Sequence, residues 1–260
     1  MKLSIITIHY NQVEGLRKTL ESVWSQSVQD FEFLVIDGGS TDGSVAFLRE
    51  QEAKLTYWCS EPDGGIYPAM NKGIAKARGT YLMFLNAGDC LSDASVIKTC
   101  LEQIEAHPTV DVFYGDMYGF QGDVTQKWLH THPATLDLLF LETQNLNHQS
   151  SLFRADLFRE LGPYPASYPL AGDHWLFLRS FLADKIFHHI SYPLVVFDYG
   201  GVGSRNREQY VREMAALWEE LVPAYVRRLM PEYRSLKHQT SRGFIRTAIR
   251  LYQTFHRQKK

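Results

Sequence analysis

Phe84-Leu85-Asn86-Ala87-Gly88-Asp89 is an apolar run that stops abruptly at small residues and an acid. A carboxylate at the end of a buried strand is where an open α/β sheet puts its chemistry, because ligands sit beyond the carboxyl ends of the strands. Three more acids arrive in the same manner. They are Asp37 after Phe33-Leu34-Val35-Ile36, Asp63 in Glu61-Pro62-Asp63-Gly64-Gly65, and Asp173 in Ala171-Gly172-Asp173-His174-Trp175.

Outward from this run the chain alternates strand and helix. Leu3–His9 reads as a buried strand, and Val13–Gln26 as an amphipathic helix with Leu16, Leu20, Val23 and Trp24 on one face. Phe31–Ile36 is the next strand, and Thr41-Asp42-Gly43-Ser44 opens a helix with side chains suited to capping free N–H groups. Leu55–Trp58, a helix over Tyr67–Ala77 and the strand Tyr81–Leu85 follow. Helices of this length between strands predict βαβ units and a mainly parallel sheet. Beyond Asp93 the pattern predicts a helix to about Ala106, a strand Val110–Tyr114 and a hairpin over Met117–Trp128 broken at Gly122. Helices are expected over Ala155–Leu161, Gly172–Leu182 and Arg207–Leu221. Lys185–Val196 reads as an extended pair broken at Pro193, and His130–His148 as a loop-rich acceptor region.

Four spaced motifs occur in the order seen in glycosyltransferase family 2, which the chain resembles over roughly residues 1–205. They are Ser4-Ile5-Ile6-Thr7-Ile8-His9-Tyr10-Asn11, Val35-Ile36-Asp37-Gly38-Gly39-Ser40-Thr41-Asp42-Gly43-Ser44, Glu61-Pro62-Asp63-Gly64-Gly65-Ile66-Tyr67 and Met70-Asn71-Lys72-Gly73. The resemblance implies the GT-A fold, a Rossmann-like three-layer α/β sandwich with a mainly parallel central sheet, here followed by a helical C-terminus. It implies inverting transfer of a sugar from a nucleotide-diphosphate donor, in the manner of bacterial enzymes that build colanic acid, capsule or O-antigen. The expected boundaries are 1–205 for the transferase domain, with a nucleotide-sugar half (1–92) and an acceptor half (93–205), and 206–260 for the helical region. One departure is plain. The family usually carries Asp-x-Asp or Asp-x-Asp-Asp at the strand end; here Asn86 and Gly88 stand at two of those positions and Asp89 remains.

Carried over residue by residue, the resemblance gives each candidate a role. Asp37 and Thr7 would line the nucleotide pocket, with Asn11 beside them; the plain alternative for Asp37 is a turn residue holding local N–H groups. Asp63 precedes a helix whose N-terminus can stabilise an anion, and Asn71 and Lys72 on that helix are further nucleotide candidates. Asp89 would hold Mn²⁺ or Mg²⁺, which neutralises a diphosphate leaving group as a Lewis acid. Mg²⁺ typically takes only one or two carboxylates, so one Asp suffices, and Asn86 would bond the ribose or a metal-bound water. Asp173 would be the general base, with a helix N-cap as its structural alternative. His148, Trp175 and Asp116 are candidates for the acceptor side; a core Trp is the ordinary reading of Trp175. Gly200–Ser204 with Arg205 and Arg207 reads as a lid over the diphosphate or as a plain connection.

Composition bounds the partners. The net charge of −2 conceals a basic stretch from Pro223 onward with ten Lys/Arg against the single acid Glu232. A basic end on an acidic body points to an anionic surface. In the absence of a nucleic-acid motif, membrane lipid is the expected partner and nucleic acid is not. Within Arg242–Lys260, four arginines (242, 246, 250, 257) and the apolar residues Phe244, Leu251 and Phe255 fall on opposite helical sides, the pattern of an interfacial helix or of a helix docked on the domain. No long apolar run or leader is expected, and three cysteines without metal spacing fit a reducing compartment. The expected location is therefore cytoplasmic, peripheral at the inner membrane face, with a UDP-, GDP- or dTDP-sugar as donor and a glycan or lipid-linked acceptor. The rivals are a non-catalytic nucleotide-sugar or carbohydrate-binding protein and a sugar nucleotidyltransferase. The latter wants a Gly- and Arg/Lys-rich loop after the first strand, where this chain has His9-Tyr10-Asn11-Gln12.

Overall fold

The computed structural model describes residues 2–200 and 206–238. Two compact units divide at Ala216/Leu217.

The first unit is built on a nine-stranded mixed sheet. Its strands are β1 (Leu3–His9), β2 (Glu32–Asp37), β3 (Tyr57–Ser60), β4 (Tyr81–Phe84), β5 (Cys90–Leu91), β6 (Val112–Phe120), β7 (Trp128–His130), β8 (Ser151–Arg154) and β9 (Phe187–Asp198). They run in the order β3-β2-β1-β4-β8-β6-β9-β5, with β7 paired to β6. The expectation of a mainly parallel sheet holds for β3-β2-β1-β4 and for β6-β9, which are parallel. It fails elsewhere, because β8 enters antiparallel between β4 and β6, and β5 and β7 also pair antiparallel.

Helices α1 (Val13–Trp24), α2 (Ser44–Glu50) and α4 (Val96–Ala106) cover one face, their Leu16, Leu20, Phe47, Ile97 and Cys100 packing with Leu3, Ile5, Phe33 and Val35 of the sheet. Alternate residues of β1 face the other way, toward α3 (Ile66–Lys76). Gly73 of α3 comes so close to Ile6 that an added Cβ would sit 2.4 Å from its Cγ2. Phe84, Phe153, Phe158, Tyr164 and Phe177 extend this second face with ring centroids 5.3–6.2 Å apart, under α6 (Asp156–Glu160) and α7 (Gly172–Leu182). The result is three layers, helix, sheet and helix.

Two later readings change. The predicted pair within Lys185–Val196 is one long strand, β9, whose register against β6 shifts at Gly115/Asp116 and Asp116/Met117, so Pro193 is absorbed at an irregularity instead of ending a strand. The loop-rich stretch 130–148 contains a short helix, α5 (Leu138–Thr143), capped by Asp137, which accepts from the Phe140 N–H. The Met117–Trp128 hairpin is present as β6-β7, with Gly122 at φ +77° in the turn.

Helix α8 (Arg207–Leu221) spans the division between the units. Residues 224–238 of the second unit are helical, and Arg227 pairs with Glu219. The proposed lid loop, apart from Gly200, and the basic stretch 239–260 lie outside the described residues. No helix among the described residues is long and apolar enough to cross a membrane.

Candidate active site

The strand ends converge as the sequence suggests, in two groups. In the first, Asp37 leaves β2 fully buried, and its carboxylate accepts from the N–H groups of Gly39 and Ser40, the Ser40 hydroxyl and the Ser60 hydroxyl at 2.5 Å. Each of these bonds holds its own loop or the adjacent β3. The next strand over contributes His9, buried, with Nε2 2.6 Å from Ser44 Oγ and 3.6 Å from Asp37. Burial is the largest influence on His9 and lowers its pKa, against the pull of Asp37 and Asp42. Asn11 sits at φ +48°, a left-handed conformation that Asn tolerates. Its side-chain oxygen accepts from the Thr41 N–H at 2.8 Å, while its own N–H donates to Ser40 Oγ, so it ties the β1 end to the β2 end. Asp63 closes over this loop: a Cβ on Gly38 would lie 2.8 Å from Asp63 Oδ2. Lys72 reaches back to the same turn, bonding Pro62 O at 3.1 Å and Glu61 at 2.9 Å. The Thr7 hydroxyl is enclosed in the sheet without a hydrogen-bond partner among the described residues.

The second group lies at the end of β4. Thr19 of α1 accepts from the Gly88 N–H and donates to Asp89 O at 2.7 Å, which fixes the 86–89 turn. Gly88 has φ +103°, a conformation that favours glycine. Asp89 is buried, 6% exposed. Burial is the main reason its pKa is pushed up to about 8; bonds from the Gln149 side chain and the Asp198 N–H offset part of this, and the Asp198 charge adds to it. Asn86 brings its amide nitrogen within 3.2 Å of His148 Nε2, and His148 Nδ1 lies 3.2 Å from Asp173 Oδ2. Asp173, in the first turn of α7, accepts at Oδ1 from the His174 N–H at 2.7 Å and lies 3.2 Å from the Tyr67 hydroxyl. Burial alone would raise its pKa, but the bond and charge of His148 and the His174 N–H outweigh it and leave the carboxyl below its ordinary range. Asp173 is therefore an anion at neutral pH.

Three candidates fall elsewhere. Asn71 spends both ends of its amide on the Tyr164 backbone, at 2.9 and 3.0 Å, as a latch between α3 and the loop after α6. Trp175 is 4% exposed, with Arg179 over its ring, so it has no open face for a sugar. Asp116 sits at the β6/β9 irregularity, bonded by the His132 N–H and by His189 Nε2 at 2.8 Å. Sequence reasoning missed Gln149, Asp198 and Tyr67, which meet Asp89 or Asp173 only through the tertiary fold. Gln149 lay beside His148 in the stretch Asn147-His148-Gln149-Ser150, the nearest thing to a signal.

Asp89, Asn86 Oδ1 and Gln149 are the hard oxygen or amide groups that Mg²⁺ and Mn²⁺ prefer, and Asn86 Oδ1 is buried without a hydrogen-bond partner among the described residues. Yet no group of three His, Cys, Asp or Glu side chains able to hold a metal exists among those residues. The donor set fits a cation that arrives with further oxygen ligands, as a nucleoside diphosphate would supply, with Asp89 as its protein carboxylate.

The sequence model of Glycosyl transferase family 2 matches residues 4–162. The chain belongs to that family. A Mycobacterium tuberculosis protein named as an uncharacterized glycosyltransferase is 36% identical over 211 residues, covering 80% of this chain and 79% of its own. A PGL/p-HBAD biosynthesis glycosyltransferase of Mycobacterium bovis is 32% identical over 182 residues, covering 68% and 69%. Among solved structures, Staphylococcus aureus TarS 1–349 in complex with UDP-GlcNAc aligns with TM-score 0.68 at 18% identity, covering 87% of this chain and 69% of that one. The mannosyltransferase PcManGT of Pyrobaculum calidifontis, in complex with GDP-Man and Mn²⁺, aligns with TM-score 0.63 at 18% identity, covering 83% and 63%. Both are GT-A transferases, and the fold of this glycosyltransferase is theirs.

Proposed function

We propose that the protein is an inverting, metal-dependent hexosyltransferase that moves a sugar from a nucleotide-diphosphate donor to a hydroxyl of a glycan or lipid-linked acceptor. The observation that carries this reading is Asp173, held anionic at the start of α7 and joined through His148 to the β4 end that bears Asn86 and Asp89. Inversion in one step needs one carboxylate to take the acceptor proton as its oxygen attacks the anomeric carbon. The bond from that carbon to the diphosphate breaks, and the nucleoside diphosphate leaves with the electron pair. Asp173 has both oxygens engaged by donors, yet a carboxylate offers about four lone-pair sites, so a further proton can be accepted.

The first group of residues would hold the nucleotide, Asp63 and Asn11 at its rim and Asp37 shaping the loop from below. A cation bound at Asp89 would supply charge neutralisation to the leaving diphosphate. The nucleotide-sugar ligands named for TarS and PcManGT support a donor of that class, and the relative named for PGL/p-HBAD biosynthesis supports work on a cell-surface glycoconjugate. This reading has the enzyme acting on the cytoplasmic side, at the membrane face where a lipid-linked acceptor is exposed, with 1–205 as the transferase domain.

Replacing Asp173 by Asn tests it. The amide cannot take up the acceptor proton, so turnover should fall by about 10² or more while the donor dissociation constant stays unchanged. Near wild-type turnover in Asp173→Asn would remove Asp173 from the mechanism and leave it as a helix cap.

A further inference from the structure

Glu213 of α8 is an acid in the interior, 8% exposed, and its carboxylate meets the backbone just ahead of α7. Its Oε2 accepts from the N–H groups of both Leu170 and Ala171 at 2.9 Å. Its Oε1 accepts from the Gln209 side chain, one helical turn earlier, at 2.9 Å. Ala171 is the cap residue of α7 and has no side chain able to bond the helix start. The N–H groups at such a start have no carbonyl of their own helix to meet, and Glu213 supplies an acceptor from elsewhere in the chain. The opposite edge of the same segment is held by α3, because Leu170 O accepts from the Tyr67 hydroxyl at 3.1 Å.

A second line runs from the same face of α8. Tyr210, three residues before Glu213 and so beside it on the helix, shares a hydrogen bond with the Asn145 side chain. Asn145 Oδ1 lies 3.2 Å from His174 Nδ1, and the His174 N–H donates to Asp173. The turn that carries Asp173 is thus tied to α8 on both sides, at 170–171 before it and at His174 after it. Tyr210 and Glu213 both belong to the first compact unit.

We infer that Glu213 is a positioning residue for Asp173: by gripping the backbone of Leu170 and Ala171 it sets where α7 begins, and with it where the Asp173 carboxylate stands. This rests on the reading of Asp173 as base. An acid is an expensive group to bury unless its oxygens are bonded, and here both oxygens are bonded, one of them to the two peptide groups directly before the base turn. Glu213 acts through the backbone and does not touch the reacting atoms. A displacement of about 1 Å in a reacting group can cost about 10²-fold in rate, so loss of the grip should be read in turnover.

Steady-state kinetics of the full-length protein test the inference, with each variant assayed below its own melting transition. Glu213→Asp keeps the charge but is one methylene shorter, and Glu213→Ala removes the acceptor; both should lower turnover by about 10²-fold with donor KM unchanged. Glu213→Gln keeps an oxygen that can take both N–H groups and should recover most of that loss. If Glu213→Ala does not fold, the contrast between Asp and Gln still decides. Added to Asp173→Asn, Glu213→Asp should cost nothing further, because a base already removed cannot be misplaced. Wild-type turnover in Glu213→Asp overturns the inference. So does a loss confined to donor KM, a Glu213→Gln variant as slow as Glu213→Asp, or a full second loss on the Asp173→Asn background. If Asp173→Asn is active, it is the base assignment that fails; if Asp173→Asn is inactive while Glu213→Asp is active, the fault lies with the role given to Glu213 alone.

Discussion

Tyr67 fills the space that a side chain at Gly172 would need: a Cβ built on Gly172 meets the ring carbons Cδ2 and Cε2 at 2.8 Å. Tyr67 belongs to α3 and Gly172 opens α7. The same ring carries its hydroxyl to within 3.2 Å of Asp173 and 3.1 Å of Leu170 O. A larger residue before Asp173 would expel this ring, so the Gly172-Asp173 pair and Tyr67 are one packing solution.

Gly172→Ala should therefore destabilise the protein by about 1–3 kcal/mol, the usual result of forcing a methyl into a packed site. It should also lower turnover, because the ring that braces Asp173 must move. Tyr67→Phe keeps the ring and removes only the hydroxyl, so its effect on melting should be smaller. Thermal melts and steady-state kinetics of the two variants give the comparison, and an unshifted melt in Gly172→Ala would contradict it.

Asn71 and Asp63 came from neighbouring motifs with the same expected role, and the structure separates them. Asn71→Ala strands a backbone N–H and a carbonyl of Tyr164, which should cost roughly 1–3 kcal/mol for each group left unpaired in the interior with donor affinity unchanged. Asp63 is half-buried and, among the described residues, bonds only the Gly65 N–H in its own turn, so Asp63→Ala should weaken donor binding with little change in melting. Denaturant titration beside nucleotide-binding calorimetry would expose the reverse assignment.

The elements that sequence predicted best are those written in local periodicity. Gly172–Leu182 and Arg207–Leu221 have the ends expected of them, because helix amphipathicity and flanking residues are local signals. The β8 insertion and the single strand β9 were not legible, since which distant strand completes a sheet depends on pairing, and an irregularity at Asp116 accommodates Pro193 where a break was expected. The same limit applies to the site. Strand-end acids announced Asp37 and Asp89, and a helix start announced Asp173, but Asp89 meets Gln149 and the Asp198 N–H through the tertiary fold, and no spacing encodes that. Trp175 is buried, in keeping with its ordinary reading as a core Trp and not with an acceptor contact.

The basic stretch beyond the described residues makes a prediction that needs only its charges. Each Lys or Arg near an anionic surface contributes roughly 1 kcal/mol, so the four arginines of Arg242–Lys260 and their apolar neighbours should sustain reversible attachment. Sedimentation with anionic vesicles should fall as salt rises, and deletion of 240–260 should abolish it without loss of donor binding. A truncated protein that no longer binds donor would place this segment in the folded body and end the membrane reading.

On the metal role proposed for Asp89, one proton links the protein's stability to cation binding. Its pKa is pushed up to about 8, chiefly by burial, against about 4 for an ordinary aspartate in an unfolded chain. Between these values the folded protein keeps a proton that the unfolded chain has released, so stability falls as pH rises through the window from about 4 to about 8 and the contribution is gone above it. Asp89→Asn has no such proton to lose, and its melting temperature should change less with pH across that window. A metal ligand must be deprotonated, so Mn²⁺ with nucleoside diphosphate should bind more tightly at pH about 8 than at about 6, with proton uptake by the buffer that calorimetry in buffers of different ionisation enthalpy can count. Mn²⁺ alone should bind weakly, because no group of three His, Cys, Asp or Glu side chains able to hold a metal exists among the described residues. Tight, pH-independent Mn²⁺ binding to the nucleotide-free protein would refute this account, since it would require a complete site that does not depend on the Asp89 proton.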